Sequence, residues 1–211
     1  MAPKFTRSLL IPILLLTFLL TLIPAPVEAR EETALPSLNE FIAEVRNGNP
    51  GVLRGIYIPG VLAGWVAQQP AKNPGFVSSV EDTLTQFQLA SRFGSIGLLG
   101  HNYLAGKNFS LLAKGQGFYL IYGNGKTAAF TVTQSLQFQA LQPSSSASNF
   151  IDLEDGTFLT ASQLLIKAYN RPGQVVLQTC ISANGNDSWG RLFIIAEPSG
   201  VNYSIATFNG A

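Results

Sequence analysis

The chain has 211 residues, 46% of them hydrophobic and only 12% charged, with 13 Lys+Arg against 12 Asp+Glu, one Cys and one His. A net charge of +1 is too small and too mixed for a protein that binds nucleic acid by neutralising phosphates, and the hydrophobicity argues against disorder. One Cys makes no intramolecular disulfide, and one Cys with one His makes no zinc cage, so any thiol or imidazole chemistry rests on Cys180 and His101 alone.

Residues 1–29 have the three parts of an export signal. Lys4 and Arg7 form a basic start, an apolar run follows over 9–23, and Pro24 and Pro26 break it. Val27 and Ala29 then stand at the −3 and −1 positions of a cleavage site. The run is shorter than the ~20 residues that a membrane-spanning helix needs. Cleavage after Ala29 is therefore the preferred reading, and an uncleaved membrane anchor is the alternative. Removing Lys4, Arg7 and Glu28 leaves the remaining charges balanced.

Residues 30–50 read as a lead-in. Ser37 caps a predicted helix, with Glu40 three residues on as its capping-box partner. Leu38, Phe41, Ile42 and Val45 fall at helical spacing, and Asn47-Gly48-Asn49-Pro50 ends the helix. A spacer from the membrane is the expectation for it. From Gly51 onward short β-rich runs alternate with Gly, Pro, Asn and Ser. They predict strands over 53–58, 61–66, 95–99, 117–122, 127–133, 136–141, 175–180, 191–196 and 203–208. Asn124-Gly125 supplies a hairpin turn between the fourth and fifth of these. Helices are predicted over 80–92 and over 161–169, the latter capped by Thr160, with a short turn at 111–112. Residues 51–211 thus read as one mostly-β domain, a closed or nearly closed barrel with a few short helices.

Cys180 ends the run Val175-Val176-Leu177-Gln178-Thr179-Cys180. Side chains alternate on a strand, so Val176, Gln178 and Cys180 share one face. The polar stretch 181–190 reads as a loop, after which Arg191 opens a second apolar strand. An antiparallel pair joined in this way brings Cys180 and Arg191 together at one rim of the sheet. A guanidinium beside a thiol favours the thiolate and donates to a developing oxyanion. His101 ends a third run, Ile96-Gly97-Leu98-Leu99-Gly100-His101, and reaches a rim as well. Nucleophilic thiol catalysis needs a thiol that loses its proton and an imidazole that returns one to the leaving group.

Gly100-His101, then Leu177-Gln178-Thr179-Cys180, then Arg191 at the head of an apolar strand resemble the sortase family in identity and order. The stretch Phe109-Ser110-Leu111-Leu112-Ala113-Lys114-Gly115-Gln116 resembles the family's Phe, Leu, Gly-Asp segment, with Gln116 where Asp is usual. The resemblance covers roughly 53–196. It implies an exported, surface-located transpeptidase built as a closed β-barrel of about eight strands, secreted or held at the membrane only by its N-terminal segment. Such an enzyme cleaves a substrate protein at a sorting signal and joins it to an amine, either a cell-wall peptide or a pilin-like Lys.

On that resemblance Cys180 is the nucleophile, His101 the acid and base, and Arg191 the group that holds substrate and oxyanion. Thr179, Trp189 and Asn102 are the expected substrate contacts, Trp189 from the loop 181–190 and Asn102 from beside the His. No metal or organic cofactor is implied. Some sortases use calcium, and Asp152, Glu154 and Asp155 are the acids present for it. Asp155-Gly156 reads more simply as a turn. Papain-like enzymes place Cys before His, opposite to the order here. A secreted β-barrel binding module, an inactive relative, is the rival reading.

Overall fold

The computed structural model describes residues 34–200, so the export signal at 1–29 and the strand expected at 203–208 lie outside the described residues. In chain order the elements are α1 (Leu38–Val45), β1 (Leu53–Ile58), β2 (Leu62–Gln68), β3 (Thr83–Phe87), α2 (Gln88–Ser91), β4 (Ile96–Leu99) and a 3-10 helix (Ala105–Leu111). Then follow β5 (Gly117–Tyr122), β6 (Thr127–Ala140), β7 (Phe150–Asp152), β8 (Phe158–Leu159), α3 (Ala161–Tyr169), β9 (Val175–Ala183) and β10 (Asn186–Pro198).

Ten strands form one sheet in the order β10-β9-β4-β3-β2-β1-β5-β6-β7-β8, and β10 also pairs with β6. That extra pairing closes eight strands into the expected barrel and leaves β7 and β8 as a flap on β6. Closure removes the exposed edges that an open sheet of this size would present. Two of the pairings, β2–β3 and β4–β9, are parallel.

The barrel interior is filled by Leu53, Ile56, Ile58, Leu84, Leu98, Leu120, Leu177 and Ile194, among others. A second apolar cluster lies on the outer face, where Phe138, Phe150, Leu164, Tyr169, Val176, Phe193 and Ile195 meet. β9 and β10 are therefore covered on both faces over much of their length. This accounts for the unbroken apolar runs Val175-Val176-Leu177 and Leu192-Phe193-Ile194-Ile195-Ala196, all buried. A helix as short as α3 is marginal alone. It is held by the capping box of Thr160 and Gln163 and by burial of Leu164, Ala168 and Tyr169, with about 1.5–3 kcal/mol for each large apolar side chain removed from water.

Four expectations need correction. The predicted helix over 80–92 is β3 followed by the single turn α2. Val80, Leu84 and Phe87 have helical spacing, yet Leu84 faces the barrel core and Thr85 is buried too, its hydroxyl oxygen accepting from Ser78 N at 2.8 Å. Pairing with β2 and β4 outweighs the local signal.

The two strands predicted at 127–133 and 136–141 are one, β6. A register shift opposite Ile195 and Ala196 leaves Thr133 as an extra residue. This bulge switches the buried face, so Phe130 and Val132 point into the barrel while Leu136 and Phe138 join the outer cluster.

The polar loop predicted at 181–190 is a tight hairpin. β9 runs on to Ala183 and β10 starts at Asn186, with Asn184 (φ 52°) and Gly185 (φ 73°) as its two turn residues. Positive φ at both positions is the primed turn that matches strand twist, and Asn-Gly is its preferred pair.

Lastly, α1 is packed on the barrel rather than held away as a spacer. Phe41, Ile42 and Val45 bury against Ile121, the Tyr57 hydroxyl donates to Pro36 O, and Trp65 Nε1 donates to Glu44 Oε1. A Cβ on Gly55 would stand 3.0 Å from Phe41 Cε1, so glycine there permits the close approach. The Ser37–Glu40 capping box forms as expected.

Candidate active site at the barrel rim

β9 and β10 pair in the register Val176–Ile195, Gln178–Phe193 and Cys180–Arg191. The outer face of this ladder changes character along its length. Val176 and Ile195 are fully buried, Gln178 is half-buried, and Cys180 and Arg191 are both half-buried near the rim. Directly opposed residues on antiparallel strands carry Cβ atoms about 4.5–5.5 Å apart on one face. The ladder thus sets the Cα positions of Cys180 and Arg191 opposite one another near the rim. Arg191 Nη1 donates to Ser188 O at 2.9 Å and to Gly190 O at 2.8 Å. These two bonds fix the guanidinium against its own strand and leave its other N–H groups free of protein partners among the described residues.

His101 reaches the same end of the sheet from β4. Leu99 pairs with Gln178 in the parallel β4–β9 ladder, and Gly100 N donates to Gln178 O at 3.0 Å. His101 lies two residues beyond Leu99 as Cys180 lies two beyond Gln178, so the two are level. Gly100 is required at the junction. A Cβ there would stand 2.7 Å from Leu84 Cδ2 and 2.9 Å from Gly106 N. The chain then turns sharply, with Leu104 N and Gly106 N both donating to His101 O at 3.0 Å. The Tyr103 ring stacks on the imidazole at 5.2 Å between centroids and 19° between planes. Neither imidazole nitrogen nor the Cys180 sulfur makes a side-chain hydrogen bond among the described residues.

The three expected substrate contacts sit differently. Thr179 points inward and is buried, its hydroxyl without a hydrogen-bond partner among the described residues. Asn102 is occupied: its Nδ2 donates to Ser182 Oγ at 2.7 Å and to Asp187 O at 2.9 Å, and Ser182 Oγ donates to Asp187 Oδ1 at 3.1 Å. It fastens the turn after His101 to both strands of the β9–β10 hairpin. Trp189 is a half-buried residue of β10 rather than part of a loop, and it borders neither of the cavities at the rim.

Two cavities flank the Cys180–Arg191 pair. One, of about 390 Å³, lies on the outer face and is bordered by Arg191, Gln178, Leu99, Phe193, Tyr169 and Leu164, among others. The other, of about 320 Å³, opens at the barrel mouth and is bordered by Cys180, Thr179, Asn102, Ser182, Lys107 and Gln137, among others.

The acidic stretch is taken up by local structure. Asp152 is buried and pairs with Lys167 Nζ at 2.8 Å, while its other oxygen accepts from Glu154 N. Hydrogen bonding to Asp152 holds Lys167 above the ordinary lysine range, outweighing the effect of its burial. Hydrogen bonds from Thr157 hold Asp155 below the ordinary carboxylate range. Among the described residues no group of three His, Cys, Asp or Glu stands where it could hold a metal ion.

No family model matches this chain, and no curated protein matches it. Solved structures do. Sortase A from Corynebacterium diphtheriae is 16% identical, with 74% of this chain and 64% of that chain covered and a TM-score of 0.48. Sortase C-1 from Actinomyces oris is 16% identical, with 82% and 86% covered and a TM-score of 0.47. Sortase A of Listeria monocytogenes is 15% identical, with 70% and 86% covered and a TM-score of 0.42.

Proposed function

We propose that this chain is an exported cysteine transpeptidase of sortase type. The observation that carries the reading is the direct opposition of Cys180 and Arg191 in the β9–β10 ladder, with the only histidine of the chain leaving β4 at the same level. The Cys180 thiolate attacks the carbonyl carbon of a peptide bond in the substrate, and Arg191 donates to the oxygen that gains negative charge. The C–N bond breaks, its electron pair stays on nitrogen, and His101 supplies the proton that makes the amine a leaving group. The acyl group remains on sulfur as a thioester. An incoming amine gives its proton to His101, attacks the thioester carbon and releases the thiolate. Every bond made and broken is accounted for by these three side chains and the two substrates.

The substrate is a surface protein with a sorting signal, and the acceptor is an amine of the cell wall or of a second protein. Export rests on the segment 1–29. Among the described residues no helix is long and apolar enough to cross a membrane.

A randomised peptide library incubated with the protein and hydroxylamine tests group transfer. The expected products are peptide hydroxamates cut at a common motif. Free carboxylates alone, or no cleavage, would overturn the transpeptidase reading.

A further inference from the structure

The outer-face cavity beside Arg191 has an apolar wall, built from Leu99, Phe193, Tyr169 and Leu164, and a few polar side chains, with Ser145 and Ser146 among them. Another is Gln178, two residues from Cys180 on the same face of β9 and so about 6.8 Å along the strand. The amide of Gln178 is not free to turn. Tyr169 is 1% exposed, wedged between the rings of Phe87 at 5.3 Å and Phe193 at 6.0 Å, and its hydroxyl donates to Gln178 Oε1 at 2.5 Å. Burial pushes this phenol well above its ordinary range, so it stays protonated and stays a donor. With Oε1 engaged, what Gln178 offers to the cavity is its Nε2, which donates to no group among the described residues.

Arg191 is the other strong polar group there, and it too is a donor. No acidic residue borders the cavity. A cationic side chain entering it would meet N–H groups and a like charge, with no carboxylate and only hydroxyl oxygens such as those of Ser145 and Ser146 to replace its lost water. A carboxylate or amide oxygen would meet two donors in a largely apolar surrounding, where hydrogen bonds to a charge are strongest.

We propose that Gln178, held by Tyr169, is a specificity-determining residue that selects acyl-donor peptides with an acidic or amide side chain near the scissile bond and rejects cationic ones. The inference rests on the transpeptidase reading for the name of the ligand, since it takes the cavity as the place of the acyl part. The departing and incoming amines need access from solvent at the rim, whereas the acyl part stays on Cys180, which shares the outer face of β9 with Gln178. The side chain selected is about two residues from the cut, because an extended peptide advances about 3.3 Å per residue.

The test is selection of binders from a randomised octapeptide library on the Cys180→Ala protein, which needs no turnover. Glu, Gln, Asp or Asn is expected to be enriched about tenfold over Lys and Arg at one position, the ratio of one charge-assisted hydrogen bond. Adding Gln178→Glu is expected to reverse that preference towards Lys, because Tyr169 still holds one carboxylate oxygen and the other faces the cavity as an acceptor. Adding Tyr169→Phe, which keeps the packed ring, is expected to shrink the preference by freeing the amide to flip. An acid-to-Lys ratio that reverses with Gln178→Glu and falls with Tyr169→Phe supports the assignment. An unchanged ratio in Gln178→Glu, or no enrichment at any position, overturns it. If the predicted selection appears while the native protein cleaves none of the selected peptides, the transpeptidase reading fails and the assignment of Gln178 stands.

Discussion

Replacing His101 with alanine is expected to slow cleavage of a library-selected peptide by roughly 10²–10⁴-fold, the usual contribution of a positioned acid or base. The size of the effect follows from what the reaction asks of the leaving group. An amine departs from carbon only if it gains a proton, and the chain has one imidazole to give it. That imidazole is level with Cys180 through the β4–β9 register and is presented by a turn whose two hydrogen bonds go to the backbone oxygen of His101. Alanine keeps that oxygen, so the turn survives the substitution. What is lost structurally is the stacked contact with Tyr103, worth about 0.5–1.5 kcal/mol. Activity should therefore collapse while the thermal midpoint moves by only a few degrees. A loss below tenfold in an otherwise folded protein would remove His101 from the proposed chemistry.

The second large effect is expected on stability. Gly106 sits in the 3-10 helix behind the His101 turn, with a hypothetical Cβ 2.5 Å from Gly100 O, 2.5 Å from Thr179 Oγ1 and 2.8 Å from Gly100 C. Two of these atoms are backbone and cannot swing aside. Gly106→Ala must therefore push the helix off β9 or move the strand end that carries His101. A destabilisation of about 3 kcal/mol is expected, towards the upper end of overpacking effects, which is a large part of a total stability of about 5–15 kcal/mol. Gly75→Ala is the control. Its Cβ would meet only Asn73 Oδ1 at 3.9 Å, so denaturant midpoints should differ little from the native protein. A Gly106→Ala protein as stable as this control would mean that the close packing of the turn, the 3-10 helix and β9 is not as described.

Much of the rim was legible because it is written in short-range patterns. The apolar run that ends at Cys180 and the one that starts at Arg191 fix two strands, and antiparallel pairing of neighbours then opposes those residues. The capping box at Ser37 and the cap at Thr160 were legible for the same reason. The hairpin between the strands is equally local, but the Ser, Asn and Asp that dominate 181–190 give it the composition of a loop. The Asn184-Gly185 pair carried the signal, the same pair that marked the earlier turn at Asn124-Gly125.

Other features had no local trace. β3 exists because it pairs in parallel with β2, and its helical spacing of Leu84 and Phe87 points the other way. The face switch at Thr133 is a property of the β6–β10 register. The contact of Tyr169 with Gln178 joins an outer helix to the barrel floor, and the clamp of Asn102 spans 80 and 85 residues of sequence. Neither follows from spacing, since both depend on how separate elements pack. Asn102 stands out in the sequence only as the neighbour of His101, and its fastening of the hairpin is visible in the structure alone.

The central claim, that Cys180 is the nucleophile, is tested most directly by mass spectrometry of the protein quenched in acid during turnover of a selected peptide. An acyl adduct is expected on the proteolytic fragment that contains Cys180 in the native protein, with neither adduct nor cleavage in Cys180→Ala. Cleavage by Cys180→Ala at the native rate would contradict it.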